Sequence, residues 1–238
     1  MTVSDLAPFD TLINCAADVR YFCKDDNIME VNVQGTNHLI ELCRATGVRL
    51  INISTLSIAG IGPAGELMPI SPQELYIHQR LTDQYSYSKF LAEREILQRV
   101  IDGGLKTNII RVGYLAPHSK DGKFPYNISE NMLSSLLQVM MELGGCPGSS
   151  SHMEITWAPV DDVADGIFNI AVTYPSQPVL HVEGMRRCSV KKLADIYAGK
   201  ELPLWSDEDF LKRLSNQHKS GVGIHLLEMM MNKKYFLS

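Results

Sequence analysis

The chain of 238 residues carries 22 lysines and arginines against 27 aspartates and glutamates, a net charge of −5 and a sequence pI near 5.8. This acidic balance disfavours nucleic-acid binding, and no run approaches the roughly 18 apolar residues of a membrane span. The first residues lack a basic segment followed by an apolar one, so we expect a cytoplasmic protein. The 5 cysteines form no CxxC pair and predict buried reduced thiols, and the 7 scattered histidines predict no metal site.

Apolar, β-rich runs alternate with longer helical patterns from residue 10 onward. A strand is predicted over 10–17, a helix from about Asn27 to Ala45, and a second strand over 48–54. A helix that runs to about Ile101 and a strand over 107–113 follow. This βαβαβ order predicts an α/β fold with a Rossmann-like, doubly wound parallel sheet covered by helices.

The alternation loosens after Pro117. We predict a helix near 129–143, a surface loop over 144–152, a strand over 153–157, and a helix from about Asp161 to Val172. A strand over 178–182 and a helical stretch over 189–238 complete the chain. We therefore divide it into an α/β part, 1–117, and a small, mostly helical lobe, 118–238, with returning sheet elements near 153–182.

Tyr85 and Lys89 lie four residues apart in "DQYSYSKFLAE" and share one face of a predicted helix. A tyrosine has an ordinary pKa of about 10, and a neighbouring ammonium lowers it by favouring the phenolate. The pair is therefore a candidate acid catalyst. Tyr87 lies on another face and cannot share the role. The spacing alone leaves open an exposed tyrosine beside a solvated lysine.

Polar residues at two buried positions add to this pair. The helix after Asn27 has a predicted inward stripe that includes Asn32, and a buried amide either ties two elements together or orders a water molecule. Ser54 and Thr55 end a core strand, where the carboxyl edge of a parallel sheet faces a ligand crevice. The full stripe reads Ile28, Asn32, Gly35, Leu39, Leu42 and Cys43.

A G-x-G-x-x-G pattern spans residues 60–65, but its context does not suit a dinucleotide fingerprint. That fingerprint joins a strand directly to a helix whose N-terminus meets the pyrophosphate. Here the predicted strand ends near Ser54, and Pro63, Pro69 and Pro72 prevent a helix from following. We expect a substrate-side loop instead.

Six segments in this order resemble one branch of a known superfamily: "INCAADVRYF", "VNVQGTNHLIELC", "INISTLSIAG", "YSYSKFLAE", "IIRVGYL" and "WAPVDDVADGIF". They are similar to the thioester reductases of the extended short-chain dehydrogenase/reductase superfamily. That branch includes the terminal reductase domains of nonribosomal peptide synthetases, the carboxylic acid reductases and, more distantly, the fatty acyl reductases. The resemblance runs from about Asp10 to Val182 and more loosely to the end.

The resemblance implies NADPH-dependent reduction of an acyl or peptidyl thioester, carried on a carrier-protein phosphopantetheine arm, to an aldehyde and possibly an alcohol. It makes Tyr85 the general acid, Thr55 the carbonyl-binding hydroxyl, and Asn32 an organiser of the proton relay. Lys89 would lower the Tyr85 pKa and hold the nicotinamide ribose. The remaining residues expected to line the cofactor site are Asn14, Ala16, Ala17, Arg111 and Gly113.

The same resemblance implies a gap at the start of the chain. In the superfamily the "INCAA" segment belongs to the fourth strand, after a βαβαβ unit that carries the true glycine fingerprint. Here only ten residues precede it. We therefore expect a fragment of a larger synthetase that lacks the nucleotide-binding half, with other synthetase domains as partners. A deliberately truncated chain, a reading frame that starts at an internal methionine and a natural remnant without cofactor are the alternatives.

Two other functions remain open. A sugar-nucleotide epimerase or dehydratase of the same superfamily would share Asn32, Thr55, Tyr85 and Lys89. A non-catalytic docking module would have kept the fold and lost its cofactor. The basic segment "MRRCSVKK", 185–192, is a candidate surface for an acidic carrier protein, although a solvated helix end is the favoured explanation.

Overall fold

The computed structural model describes residues 8–20, 27–63, 68–123 and 132–217. Its strands are β1 Thr11–Asn14, β2 Arg49–Thr55, β3 Thr107–Val112, β4 Tyr114–Ala116, β5 Cys146–Pro147, β6 Glu154–Pro159, β7 Val179–Val182, β8 Arg186–Ser189 and β9 Leu204–Trp205. Its α-helices are α1 Asn27–Met29, α2 Gly35–Thr46, α3 Gln84–Ile101, α4 Met132–Leu143, α5 Val160–Thr173, α6 Val190–Ala198 and α7 Asp207–Gln217. None of these helices is long and apolar enough to cross a membrane.

The main sheet is parallel throughout and has the order β1-β2-β3-β7. Helices separate its strands along the chain, so the predicted α/β fold with a Rossmann-like parallel sheet is confirmed. Because the strands are parallel, their carboxyl ends lie at one edge. The register pairs Ser54 with Arg111 and Thr55 with Val112, which brings the ends of β2 and β3 together. In the described sheet β1 is an edge strand.

The helix predicted from Asn27 contains a π-helical turn, Glu30–Gln34, between α1 and α2. A π-turn holds more residues than an α-turn, so it shifts the buried face along the sequence. The expected inward positions Gly35 and Leu39 are accordingly only half-buried. Their neighbours Thr36 and Ile40 are buried in their place, while Asn32 lies inside as predicted.

Helices α2 and α3 cover one face of the main sheet. Leu50 and Ile109 of the sheet pack there with Ile40, Cys43 and Ile96 of the helices. Helix α5 contacts the buried Arg49, which donates hydrogen bonds to the carbonyls of α5 residues Ile170 and Ala171 at 3.1 and 3.0 Å. Apolar packing thus holds the main sheet to α2 and α3, and the buried guanidinium of Arg49 holds it to α5.

A second core lies in the later part of the chain. Helices α4, α6 and α7 pack around Met140, Val190, Phe210 and Leu214, beside the three-stranded sheet β4-β6-β8. The helices predicted over 129–143 and within 189–238 are therefore present, and residues 218–238 lie outside the described part. The strand predicted over 153–157 belongs to this second sheet, whereas β7 returns to the main sheet. The division at residue 117 remains a prediction.

Four short strands were not predicted. β5 and β9, of 2 residues each, pair only with one another, and β4 and β8 flank β6. The expectation that all thiols are buried is wrong for Cys15, which is exposed; Cys43 and Cys146 are buried, Cys188 is intermediate, and Cys23 lies outside the described residues.

Candidate active site

The carboxyl edge of the main sheet brings together the ends of β1, β2 and β3. Asn14 ends β1, Thr55 ends β2, and Gly113 follows β3. Helix α3 packs against this region and carries Tyr85 and Lys89 on one face, as their spacing of four predicts. The fold therefore assembles at one edge most of the side chains that the sequence singled out.

Tyr85 lies in the first turn of α3, whose start is fixed by a cap. Asp83 accepts hydrogen bonds from the backbone N–H of Ser86 at 2.7 Å and from its hydroxyl at 2.9 Å. Thr55, 7% exposed, has its hydroxyl close enough to the Tyr85 hydroxyl to lower the Tyr85 pKa. The two candidate catalytic hydroxyls thus meet, and desolvation raises the pKa of Tyr85 to about 12 although its Thr55 contact opposes this.

Lys89 is 7% exposed, and its Nζ donates to the carbonyl oxygen of Ile53 at 2.9 Å. Burial lowers its pKa to about 8, and the Glu93 carboxylate opposes this shift. The predicted lowering of the Tyr85 pKa by Lys89 is absent from this structure, where desolvation of the phenol dominates. The raised pKa keeps Tyr85 protonated at neutral pH and makes it a weaker acid than a tyrosine of ordinary pKa.

Asn32 is 2% exposed and joins two elements, one of the two roles its burial predicted. Its Oδ1 accepts the N–H of Asp18 at 2.8 Å, and its Nδ2 donates to the carbonyl of Asp18 at 2.8 Å and to Ser88 Oγ at 2.9 Å. Both of its N–H donors are therefore engaged. Asn32 fixes the segment after β1 against α3, so any effect on a proton relay acts through position.

The end of β1 approaches the same edge. Asn14 donates to Asn52 Oδ1 at 2.8 Å and accepts the N–H of Ala16 at 3.2 Å, which turns the chain after the strand. Ala16 is exposed and Ala17 half-buried, so small side chains line this turn. At Gly113 a Cβ would lie 3.4 Å from Glu183 Cβ and 3.6 Å from Leu56 Cδ1, which are ordinary van der Waals contacts.

Arg111 has a different place from the one expected of a cofactor contact. Its side chain is fully buried and forms an ion pair with Glu93, with Nη2 2.8 Å from Oε2. Its other donors reach the carbonyls of Ser71 and Glu74 and the ring of His181. The side chain could reach a cofactor only by giving up one of these contacts.

Sequence reasoning missed Glu93, Asn52 and Ser88. Glu93 follows Lys89 by four residues and so lies on the same helical face, a signal that was available. Ser54 Oγ is buried without a hydrogen bond of good geometry, yet lies close enough to Glu93 to lower its pKa. Burial raises the Glu93 pKa, and Arg111 opposes that shift.

The glycine pattern at residues 60–65 does not join β2 directly to an α-helix, as a dinucleotide fingerprint would. A 3-10 turn, Leu56–Ala59, follows the strand, and Gly60 has φ 59°. A Cβ at Gly60 would lie 2.5 Å from the carbonyl oxygen of Arg80, and Ile61 pairs with Arg80 in a β-bridge. Gly60 therefore permits close packing of two loop segments; residues 64–67 lie outside the described part.

Comparison with known families agrees with this geometry. Residues 3–167 match the model of an NAD-binding family described as male sterility protein. Because the match covers well over half of the chain, the chain belongs to this family.

The chain is also similar to parts of peptide synthetases. It is 27% identical over 162 residues to the "Non-canonical non-ribosomal peptide synthetase ascB" of Acremonium egyptiacum, covering 66% of this chain and 14% of that protein. The reductase domain of the aureusimine biosynthetic cluster aligns with TM-score 0.76 and 28% identity, over 95% of this chain and 58% of that one. A thiolation-reductase di-domain from an archaeal non-ribosomal peptide synthetase aligns with TM-score 0.78 and 26% identity, over 99% and 52%.

These similarities confirm the resemblance to terminal reductase domains of nonribosomal peptide synthetases. The chain is related to NAD(P)-dependent reductases of the extended short-chain superfamily. It spans 52 to 58% of the two solved reductase chains and 14% of the synthetase.

Proposed function

We propose that this chain forms the catalytic side of a reductase that uses NADPH to release an acyl or peptidyl thioester from a carrier-protein phosphopantetheine arm as an aldehyde. The observation that carries the proposal is the proximity of two buried hydroxyls, Thr55 and Tyr85, with Lys89 one helical turn after Tyr85. A carbonyl oxygen that gains negative charge needs two such donors in a desolvated site.

The residues at this edge fit the nicotinamide end of the cofactor. Lys89 Nζ shows one hydrogen bond within the described residues, to Ile53, and an ammonium has three donors, so ribose hydroxyls could be bound as well. Ala16 and Ala17 leave room for close approach at the turn after β1. Gly113 provides the same at the end of β3. NADPH, when bound, supplies the hydride.

The chain's own residues then act on the substrate. Thr55 and Tyr85 bind the carbonyl oxygen, and Tyr85 donates its proton as that oxygen becomes an alkoxide. The carbon–sulfur bond then breaks, so that one hydride and one proton enter and an aldehyde and a thiol leave. The burial that holds Tyr85 protonated stabilises its donor form before the reaction. A second hydride would give an alcohol.

We infer that the pyrophosphate and adenine end of NADPH requires polypeptide in addition to the described residues. The sequence between the end of β1 and the start of α1, residues 15–26, contains no glycine. A glycine-rich turn between strand and helix is what cradles a pyrophosphate. The edge position of β1 gives a further parallel strand a place to pair.

NADPH titration by nucleotide fluorescence tests the cofactor part of the proposal. The chain is titrated as it stands and in a form extended upstream of residue 1 along its natural reading frame. Saturable binding by the extended form supports the reductase, and thioester reduction is then assayed. Absence of binding in both forms would favour a docking module, and turnover of a nucleotide sugar would favour an epimerase or dehydratase.

The carrier partner is proposed from the resemblance, and the basic segment 185–192 is its candidate surface. That segment comprises β8 and the first turn of α6, so its two lysines lie at a helix end. Arg187 and Lys192 are exposed, whereas Lys191 is paired with Asp195 at 2.6 Å. Changing Arg186 and Arg187 to Glu should weaken carrier-loaded turnover and spare a small free thioester. Equal effects on both substrates would remove this surface from the account.

A further inference from the structure

The ion pair between Arg111 and Glu93 is buried beneath a loop, residues 71–80, which lies in the chain between the candidate catalytic residues Thr55 and Tyr85. Both side chains have 0% exposure. A buried pair of charges is costly unless its remaining donors and acceptors are also satisfied. The contacts that satisfy them show what the pair holds in place.

The Arg111 guanidinium connects three elements. From β3, its Nε and Nη2 donate to Glu93 of α3. Nη1 donates to the carbonyl of Ser71 at 3.0 Å, and Nη2 to the carbonyl of Glu74 at 2.7 Å. The two carbonyls belong to the loop 71–80, which lies in the chain between Thr55 and Tyr85.

A second buried side chain fixes the same loop. Gln79, 8% exposed, donates to the carbonyls of Ile58 and Leu75 at 3.0 and 2.8 Å and accepts the N–H of Ile77 at 2.8 Å. Between these anchors His78 has φ 64°, a left-handed conformation that a non-glycine residue keeps only where its surroundings enforce it. The loop is therefore held in one conformation from beneath.

The other end of the ion pair reaches the candidate cofactor lysine. Glu93 lies one turn after Lys89 on the same face of α3, and its carboxylate opposes the effect of burial on the Lys89 pKa. Glu93 thus contacts Arg111 on one side and stabilises the Lys89 ammonium on the other.

We propose that Arg111 and Glu93 are positioning residues, which through one buried contact hold the loop 71–80 against the helix that carries Tyr85 and Lys89. The roles given to the loop and to Lys89 rest on the proposed function. The contacts of Arg111 and Glu93 are independent of the proposed function. Removal of both charges should therefore be felt in the loop and at Lys89 together.

The test follows two properties of the chain in three variants. The variants are Glu93→Gln, the double change Glu93→Gln with Arg111→Met, and the control Asp195→Asn, which removes the carboxylate from the unrelated Lys191 pair. Lys89 is titrated by NMR of lysine labelled with carbon-13 at Cε, its signal assigned by its loss in Lys89→Met. Amide hydrogen exchange is followed at Ile77 and Arg80, which are hydrogen-bonded in the loop.

In both Glu93 variants the Lys89 pKa should fall below its present value of about 8, because the stabilising carboxylate is gone. In the double variant, where the loop loses its Arg111 donors, the Ile77 and Arg80 amides should exchange about tenfold faster, as expected for a loop that loses roughly one net hydrogen bond. The Asp195→Asn control should change neither property. The double variant guards against unfolding of the single one, since replacing both charges avoids an unpaired buried ion.

An unchanged Lys89 pKa in the double variant, or unchanged exchange of the loop amides, would overturn the proposal. Loss of exchange protection throughout the main sheet of the double variant would overturn it also, because the pair would then hold the sheet rather than position the site. None of these measurements uses NADPH or a thioester. Failure of the proposed function and failure of this inference are therefore separately visible.

Discussion

Replacing Asn32 with Ala should loosen the segment after β1 from the helix that carries Tyr85 and Lys89. The change removes three hydrogen bonds, two with the backbone of Asp18 and one with Ser88 Oγ. All three run between segments that are distant in sequence. Their loss should therefore lower global stability and open the segment 15–20 locally.

The magnitude follows from those contacts. A buried hydrogen bond contributes about 1 kcal/mol net, so the three together stabilise the fold by about 3 kcal/mol. Alanine favours a helix over asparagine by roughly 0.5 kcal/mol, which offsets part of that loss. The free energy of unfolding should accordingly fall by about 2.5 kcal/mol.

Urea unfolding followed by circular dichroism measures the change, with Asn169→Ala, at an exposed position of α5, as the matched control. Hydrogen exchange at the Asp18 amide reports the local effect. A loss below about 1 kcal/mol, similar to that of the control, would refute the view that Asn32 holds these elements together.

Three further predictions concern the candidate site. Tyr85→Phe should abolish most thioester reduction in an NADPH-binding form while Tyr87→Phe, at an exposed position, retains it; similar rates for both would remove Tyr85 from the mechanism. Folding lowers the pKa of Lys89 from 10.5 to about 8, so between these two pH values the unfolded chain binds more protons than the folded chain. The free energy of unfolding should therefore rise as the pH goes from about 8 to 10. Urea titrations at both pH values should show less of this rise in Lys89→Met, and an equal rise in both proteins would contradict the assignment. Cys15 should react with iodoacetamide in the folded chain, while Cys43 and Cys146, whose pKa values burial raises, should react only after unfolding, as peptide mapping will show.

The sequence predicts the α/β alternation, the strand-end position of Thr55 and the shared helical face of Tyr85 and Lys89, because these follow from regular periods; the pairing of Thr55 with Tyr85 was implied by the family resemblance. Parallel strands end at one edge, and residues four apart share a helical face. The π-turn at Glu30–Gln34 breaks such a period, so the inward face of α2 was displaced by one position. A strand of 2 residues, as in β5 and β9, is too short to show any period.

The sequence did not predict the charge interactions between residues that are distant along the chain. In "TNIIRVG" nothing near Arg111 identifies its partner, since Glu93 lies 18 residues earlier and meets it only when α3 packs on β3. The same packing removes water from Tyr85 and Lys89 and moves their pKa values in directions that spacing alone does not give. Charge states of buried residues therefore needed the structure.

The most direct measurement for the central claim is the NADPH titration of the upstream-extended form, repeated with Lys89→Met. The account predicts saturable binding that is at least about tenfold weaker in the variant, because the ammonium that would hold the ribose is lost. Absence of NADPH binding by the extended form, or equal affinity with and without Lys89, would contradict the site assigned here.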